Sequence, residues 1–273
     1  MFRVLSWGCG LQSTTLATMS ALGEIEPLDA ILTADTGWER QVTYDIRDWY
    51  VDWLRKHAPH IHIEVLKSGD IRENGALEHV HIPFFTDSGA PMRRQCTRYF
   101  KLIPIKRRIR ELLGYDARLA PHPPANSAEV WLGITLDEWH RAQPSRIRFM
   151  RNRFPLLEKR WQREICRLWL EQHDLPVPPK SACVCCPFRR AGEWLEMRRD
   201  APDEWRAAIA FDEKNRHNPL AERDGSTSDE LYIWSGRAGP EPLADADLER
   251  EAAADQRVYG VQLPFCDSGY CDT

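Results

Sequence analysis

The chain has 273 residues, 42% of them apolar, with eleven Trp and a formal charge of −4 at pH 7. That length supports one large α/β domain, or one domain with an elaborated second lobe, and the apolar share supports a sizeable core. The acidic balance excludes a globally basic nucleic-acid binder, so any such contact needs a local patch.

The chain starts on a core-like strand without a charged leader, and no apolar run reaches the length of a membrane span. A cytoplasmic location with no membrane partner is therefore expected. In a reducing compartment, eight Cys point to metal ligands, redox groups or buried thiols rather than disulfides.

Phe2 to Leu5 reads as a buried strand. Ser6-Trp7-Gly8-Cys9-Gly10-Leu11-Gln12-Ser13-Thr14 follows it, and Leu16, Met19 and Leu22 then recur at helical spacing up to Gly23. A strand, a small-residue loop and a helix N-terminus present backbone N–H groups to a phosphate. Taken alone, the loop fits an ordinary strand–helix turn equally well. Asp29 to Ala34 predicts a second strand, ending on Asp35-Thr36-Gly37-Trp38-Glu39, where polar residues sit at the ligand-binding rim of an open sheet. Val42, Ile46, Trp49, Tyr50, Trp53 and Leu54 form a wide apolar helical stripe, and Ile61 to Leu66 alternates as a third strand. This rhythm predicts a doubly wound, mainly parallel sheet.

Residues 67–100 read as a long loop carrying Arg93-Arg94-Gln95-Cys96-Thr97, followed by a basic helix from about Lys101 to Leu113. Ala128 to Ile134 predicts another strand, closing on Gly133-Ile134-Thr135-Leu136-Asp137-Glu138 and Arg141. Arg146 to Arg153 reads as a basic, mobile segment. The next helix is expected to bury Ile165, Leu168 and Trp169, with Cys166 as a core thiol. Helices are expected over about 191–199 and 203–216, then a short strand at Leu231 to Trp234 and an acidic helix or tail segment from Asp245 to Asp255. The division expected is 1–175 as a nucleotide-binding domain and 176–273 as a cysteine-containing helical extension packed on it.

Cys183 and Cys186 have the Cys-x-x-Cys spacing that lets two thiolates chelate from one turn, and Cys266 and Cys271 form a looser pair. Cys96 is a competing ligand. Four of these suffice for a zinc ion or a 4Fe–4S cluster, and tetrahedral sulfur suits both. Cys185 is expected to point away from the metal.

Together these stretches resemble the PP-loop ATP pyrophosphatase superfamily, nearest to its phosphoadenosine phosphosulfate reductase-like group, with phage and DNA-phosphorothioation types. Gly8-Cys9-Gly10-Leu11-Gln12-Ser13 stands where that family has Ser-Gly-Gly-x-Asp-Ser. Asp35-Thr36-Gly37, Arg94-Gln95-Cys96-Thr97 with Lys101, Gly133 to Glu138 with Arg141, and Cys183 to Phe188 match further elements in the family's order across about residues 4 to 190. Cys9 and Gln12 replace a Gly and an Asp, and no Glu-Cys-Gly-Leu-His element is present.

The resemblance implies an adenine nucleotide α-hydrolase-like fold and an ATP-dependent, AMP- and pyrophosphate-forming sulfurtransferase acting on a nucleotide or nucleic acid. Its alternatives are a sulfonucleotide reductase and a non-catalytic nucleotide- or metal-binding module of a mobile element. It implies ATP and Mg²⁺ held by Ser6, Gly8, Gly10, Gln12, Ser13, Thr14, Asp35, Thr36, Gly133, Asp137 and Glu138. Lys101, Cys96, Arg94 and Arg141 are the implied catalytic groups. The metal set is Cys96, Cys183, Cys186, Cys266 and Cys271, for a 4Fe–4S cluster or Zn²⁺, with a sulfur-donor protein as partner. Arg94, Arg98 and Lys101 are expected to favour a Cys96 thiolate.

Overall fold

The computed structural model describes residues 1–73, 81–116, 118–220 and 230–258. Cys266 and Cys271 lie outside the described residues. The centre is a five-stranded parallel sheet in the order β3-β2-β1-β5-β6, built from β1 (Phe2–Ser6), β2 (Ala30–Asp35), β3 (His62–Lys67), β5 (Ala128–Trp131) and β6 (Met150–Arg153). A two-residue strand, β4 (Phe85–Thr86), pairs antiparallel with β7 (Leu231–Tyr232) outside this sheet. All five strands of the central sheet run parallel, so the loops leaving β1, β2 and β5 share one rim, and the strand order reverses between β1 and β5.

Side chains on these strands alternate between two cores, as the pleat requires. Leu5, Ile31 and Trp131 face one cluster, where Leu16 and Met19 of α1 (Leu11–Ala21), Tyr50 and Leu54 of α2 (Gln41–His57) and Cys166, Trp169 and Leu170 of α6 (Arg163–Gln172) are buried. Val4, Ala30, Leu32 and Val130 face the other, closed by Ile105 and Ile109 of α4 (Ile103–Leu112). The sheet is thus covered on both faces, and the fold is the α/β class expected. Every residue from Leu11 to Ser20 is buried, yet α1 is rich in Thr and Ser. Thr15 and Thr18 satisfy their hydroxyls by donating to the carbonyls of Leu11 and Thr14, at 2.9 Å each.

A third core lies beside the sheet. It combines Ile82, Phe84 and Phe100 with Val184 and Cys185, with Trp194 and Met197 of α7 (Ala191–Asp200), and with Ala208 and Phe211 of α8 (Pro202–Asn215). The helix-rich C-terminal region therefore shares its core with the 82–100 stretch. Its last described helix, α9 (Leu248–Val258), packs against it through Leu248. Among the described residues, no helix is long and apolar enough to cross a membrane.

Three expectations are corrected. Residues Met150–Arg153 are an ordered edge strand, not a mobile basic segment. Phe149 and Met150 are buried, while Arg151 and Arg153 form ion pairs with the buried Glu129 carboxylate on β5. In α6 the inward residues are Cys166, Trp169 and Leu170; Ile165 and Leu168 face solvent. The helix expected from Lys101 begins earlier, as a π-helical turn over Thr97–Leu102 that runs into α4. Pro104 lacks the N–H that a regular helix would send to the Phe100 carbonyl, and a wider turn stands in front of it.

Candidate active site

The loop after β1 is held by its own polar groups. The Gly8 N–H donates to Ser13 Oγ at 3.3 Å, Ser13 Oγ donates to the Gly10 carbonyl at 3.3 Å, and Trp7 Nε1 donates to Thr14 Oγ1 at 3.0 Å. The Ser13 and Thr14 hydroxyls thus bond within the loop itself, and Gly10 caps α1. Cys9 adopts the left-handed backbone region (φ +57°), which glycine reaches at lower cost. Its thiol is buried against Thr33 Oγ1 at 3.4 Å, and burial pushes it up to about 12.

Ser6, Gly8 and Cys9 form one wall of a cleft of about 520 Å³ at the rim between β1 and β2. Asp35 forms another. Its Oδ1 accepts from the Gly37 N–H (2.8 Å) and the Tyr44 hydroxyl (3.0 Å), and its Oδ2 from Arg47 (3.1 Å). Gly37 has φ +78°, and a Cβ there would lie 2.8 Å from the Gly69 carbonyl oxygen. Burial raises the Tyr44 phenol, and the neighbouring Asp35 carboxylate acts in the same direction. Lys101, from the π-helical turn, closes the cleft. Its ammonium lies 3.2 Å from Glu39 Oε1. Burial opposes its charge, but Glu39 and the nearby Cys183 and Cys96 sulfurs outweigh that, so its pKa is raised.

Lys101 also lines a second cleft, of about 580 Å³, with Arg94, Cys96, Cys183, Cys186 and Phe188. The cysteine turn is fastened to the segment after β2: the Val184 N–H donates to the Trp38 carbonyl at 2.9 Å, and the Cys186 N–H closes the turn on the Cys183 carbonyl at 3.1 Å. Cys183 Sγ lies 3.1 Å from Thr36 Oγ1 and 3.6 Å from Glu39 Oε1. The Arg94 guanidinium stacks on the Phe188 ring at 5.2 Å. Cys185 is buried in the third core, though it also reaches this cleft. The expectation of a Cys96 thiolate is reversed: burial raises Cys96 more than Arg94 and Lys101 lower it, and Arg98 turns to the Tyr99 ring instead. Cys183 is raised too, mainly by burial and then by Glu39. Among the described residues, no group of three or more His, Cys, Asp or Glu is gathered to hold a single metal ion.

The remaining residues named from sequence assemble elsewhere, around the first turn of α1. Gln12 Nε2 donates to Glu138 Oε2 at 3.1 Å, and Gln12 Oε1 accepts from Arg163 at 3.0 Å. Arg141 pairs with Glu138 Oε1 at 2.5 Å. Asp137 accepts the Arg163 backbone N–H at 3.0 Å, at the start of α6. Gly133 packs directly on this turn: a Cβ there would sit 2.7 Å from Ser13 N and 3.0 Å from the Gln12 carbonyl carbon. Both are backbone atoms with no freedom to give way. Gly133→Ala is therefore expected to lose about 1–3 kcal/mol, read as a lower denaturation midpoint.

Thus Ser6, Gly8, Asp35 and Lys101 share the first cleft, and Thr36, Arg94, Cys96, Cys183 and Cys186 share the second with Lys101. Gln12, Gly133, Asp137, Glu138 and Arg141 line neither. Sequence reasoning missed Arg47 and Arg163, which lie on helices with nothing local to mark them. It quoted Glu39 without giving it a role.

No protein-family model and no curated protein matches the chain. Among solved structures it is similar to a phosphoadenylyl-sulfate reductase from Candida auris in its phosphate complex, with 13% identity, 65% of this chain and 75% of that chain covered, and a TM-score of 0.38. It is also similar to the U34-tRNA thiolase NcsA from Methanococcus maripaludis with its 4Fe-4S cluster, with 11% identity, 80% and 72% covered, and a TM-score of 0.42. Similarity at this level leaves function to the residues themselves.

Proposed function

We propose that the chain is an ATP-dependent sulfurtransferase that activates an oxygen on a nucleotide or nucleic acid and replaces it with sulfur. The observation that supports this reading is the position of Lys101, which lines both the cleft at the β1 loop and the cleft of Cys96, Cys183 and Cys186. Nucleotide activation and sulfur chemistry would then meet at one cation.

The acceptor oxygen attacks the α-phosphorus of ATP, and pyrophosphate departs with the bond's electron pair. Hydrosulfide, free or released by a donor protein, then attacks the activated carbon and AMP departs with the electron pair of the carbon–oxygen bond, so that bond is exchanged for a carbon–sulfur bond. The ammonium of Lys101 offsets the charge that develops on the phosphoryl oxygens, and the Gly8 backbone shapes the wall beside it.

Cys96, Cys183 and Cys186 line one cleft, and their thiolates are the groups that would hold a 4Fe–4S cluster, one at each of three irons. Bound there, a cluster would supply sulfur- or electron-carrying chemistry. Ligation also answers the raised thiols, since an iron-bound sulfur is deprotonated. The residues given to Mg²⁺ by the resemblance fit less well: Asp35 and Asp137 accept from protein donors, and Glu138 is bonded to Gln12 and Arg141. The basic segments contribute less to nucleic-acid binding than their sequence suggests, because Arg108, Arg110, Arg151 and Arg153 are engaged within the protein.

The test is product analysis with anaerobically iron- and sulfide-loaded protein, ATP, sulfide and bulk tRNA or DNA. AMP and pyrophosphate, with sulfur incorporated into the nucleic acid, are expected. Thiol-dependent sulfite release from a phosphosulfate would move the assignment to a reductase. Tight ATP binding without turnover would move it to a binding module.

A further inference from the structure

The polar groups around the first cleft are nearly all accounted for. Asp35 takes three donors, Tyr44 hydroxyl bridges Asp35 and the Glu39 N–H, Arg47 pairs with Asp35, and the Cys9 thiol meets Thr33. Among the described residues, two buried side-chain oxygens in its walls are not: Glu39 Oε2 and Thr43 Oγ1 have no hydrogen-bond partner there. Glu39 is 9% exposed and Thr43 3%. A buried oxygen left without a partner costs the protein stability, so a pair of them in a cleft wall calls for a ligand that satisfies both.

The charges around the pair narrow that ligand. The cleft lining carries two carboxylates, Asp35 and Glu39, and two cations, Arg47 and Lys101, paired one to one, so the pair's surroundings hold no excess charge to favour an ionic group. What remains is a neutral group with hydrogen-bond donors. Glu39 Oε2 only accepts, whereas the Thr43 hydroxyl donates or accepts. Two hydroxyls on adjacent carbons match two oxygens carried four residues apart across the start of α2. The pair shares its cleft with Gly8 and Lys101, so the group it reads is the neutral part of a nucleotide nearest the phosphates.

We propose that Glu39 and Thr43 bind the 2′ and 3′ hydroxyls of a ribose, making the first cleft a ribonucleotide site that discriminates against deoxynucleotides. This rests on the nucleotide reading above. Glu39 then has two duties, with one oxygen holding Lys101 at the junction of the clefts and the other holding the sugar. The carboxylate links sugar recognition to placement of the cation.

The experiment is calorimetric titration of the full chain with ATP, 2′,3′-dideoxy-ATP and inosine triphosphate, on wild type and Thr43→Val. Wild type is expected to bind dideoxy-ATP about tenfold more weakly than ATP, and inosine triphosphate within about threefold of ATP. Thr43→Val is expected to bind ATP about fivefold more weakly, with no further loss for dideoxy-ATP. Its thermal midpoint is expected to hold or rise, because the hydroxyl removed had no partner. Equal wild-type affinity for ATP and dideoxy-ATP overturns the proposal. So does a Thr43→Val variant that binds ATP normally, or one that loses both ligands equally with a lowered midpoint. A loss confined to inosine triphosphate assigns the pair to the base instead. No ATP binding at all removes the nucleotide reading itself, and this inference with it.

Discussion

Lys101→Met is expected to lower pyrophosphate release by about a hundredfold, the usual cost of removing one charged group aimed at developing phosphoryl charge. Methionine keeps most of the stem's packing and removes the cation. The same change leaves the Glu39 carboxylate without its 3.2 Å partner in a largely buried position. A fully buried pair broken on one side costs about 3–5 kcal/mol. Lys101 keeps some solvent contact, so about 1–2 kcal/mol is expected here. The pKa of Lys101 is raised in the folded state, so its contribution is fully present at neutral pH and is lost only as strongly alkaline pH strips the ammonium. Adding Glu39→Gln to Lys101→Met separates the two roles. The double variant should recover the denaturation midpoint of wild type while turnover stays low. If the midpoint and turnover recover together, Lys101 is a structural partner of Glu39 and no more.

Much of the frame was legible because its elements are local and periodic. The apolar runs of β1 and β2, the alternation of β3 and the apolar stripe of α2 each lie within one short window, although only part of that stripe is buried: Tyr50 and Leu54 are inside, Val42 and Trp49 outside. What escaped depends on partners far away in sequence. Arg151 and Arg153 make β6 look like a solvated basic run until Glu129 of β5 is placed beside them. Gln12 reads as a defective copy of an acidic residue until Glu138, 126 residues on, accepts from its amide. With an Asp or Glu at position 12, a carboxylate would face a buried carboxylate; the amide meets Glu138 on one side and Arg163 on the other.

The cysteines show the same limit in another form. Spacing identified the Cys183–Cys186 turn, and Cys96 was named with it. The flanking Arg94, Arg98 and Lys101 argued for a thiolate, but charge can be read along a chain and burial cannot. Desolvation proved the larger effect at Cys96. Glu39 ends the polar stretch after β2 but gains no role from it, and Thr43 carries no motif; the hydrogen-bond inventory of the cleft singles them out.

Cys183→Ala is expected to lose most of the iron that wild type takes up on anaerobic reconstitution with iron and sulfide, about four per chain for a full cluster. Its broad absorption towards the visible should fall in parallel. Cys183 is the informative ligand to remove because its sulfur touches both Thr36 and Glu39, at the seam between the clefts. Cys185→Ala is the control. That thiol packs in the third core two residues away, so its loss should cost some stability and leave iron uptake intact. Nucleotide affinity provides the second axis. The wall formed by Ser6, Gly8 and Asp35 does not depend on Cys183, so ATP binding should change by less than about threefold in Cys183→Ala. Equal iron loss in Cys183→Ala and Cys185→Ala would overturn the proposed ligand set, either through damage to the third core or because Cys185, which also reaches the cleft, binds iron itself. Loss of iron with retained ATP binding would separate the two clefts functionally. Lys101, which lines both, would then be the group through which they act together.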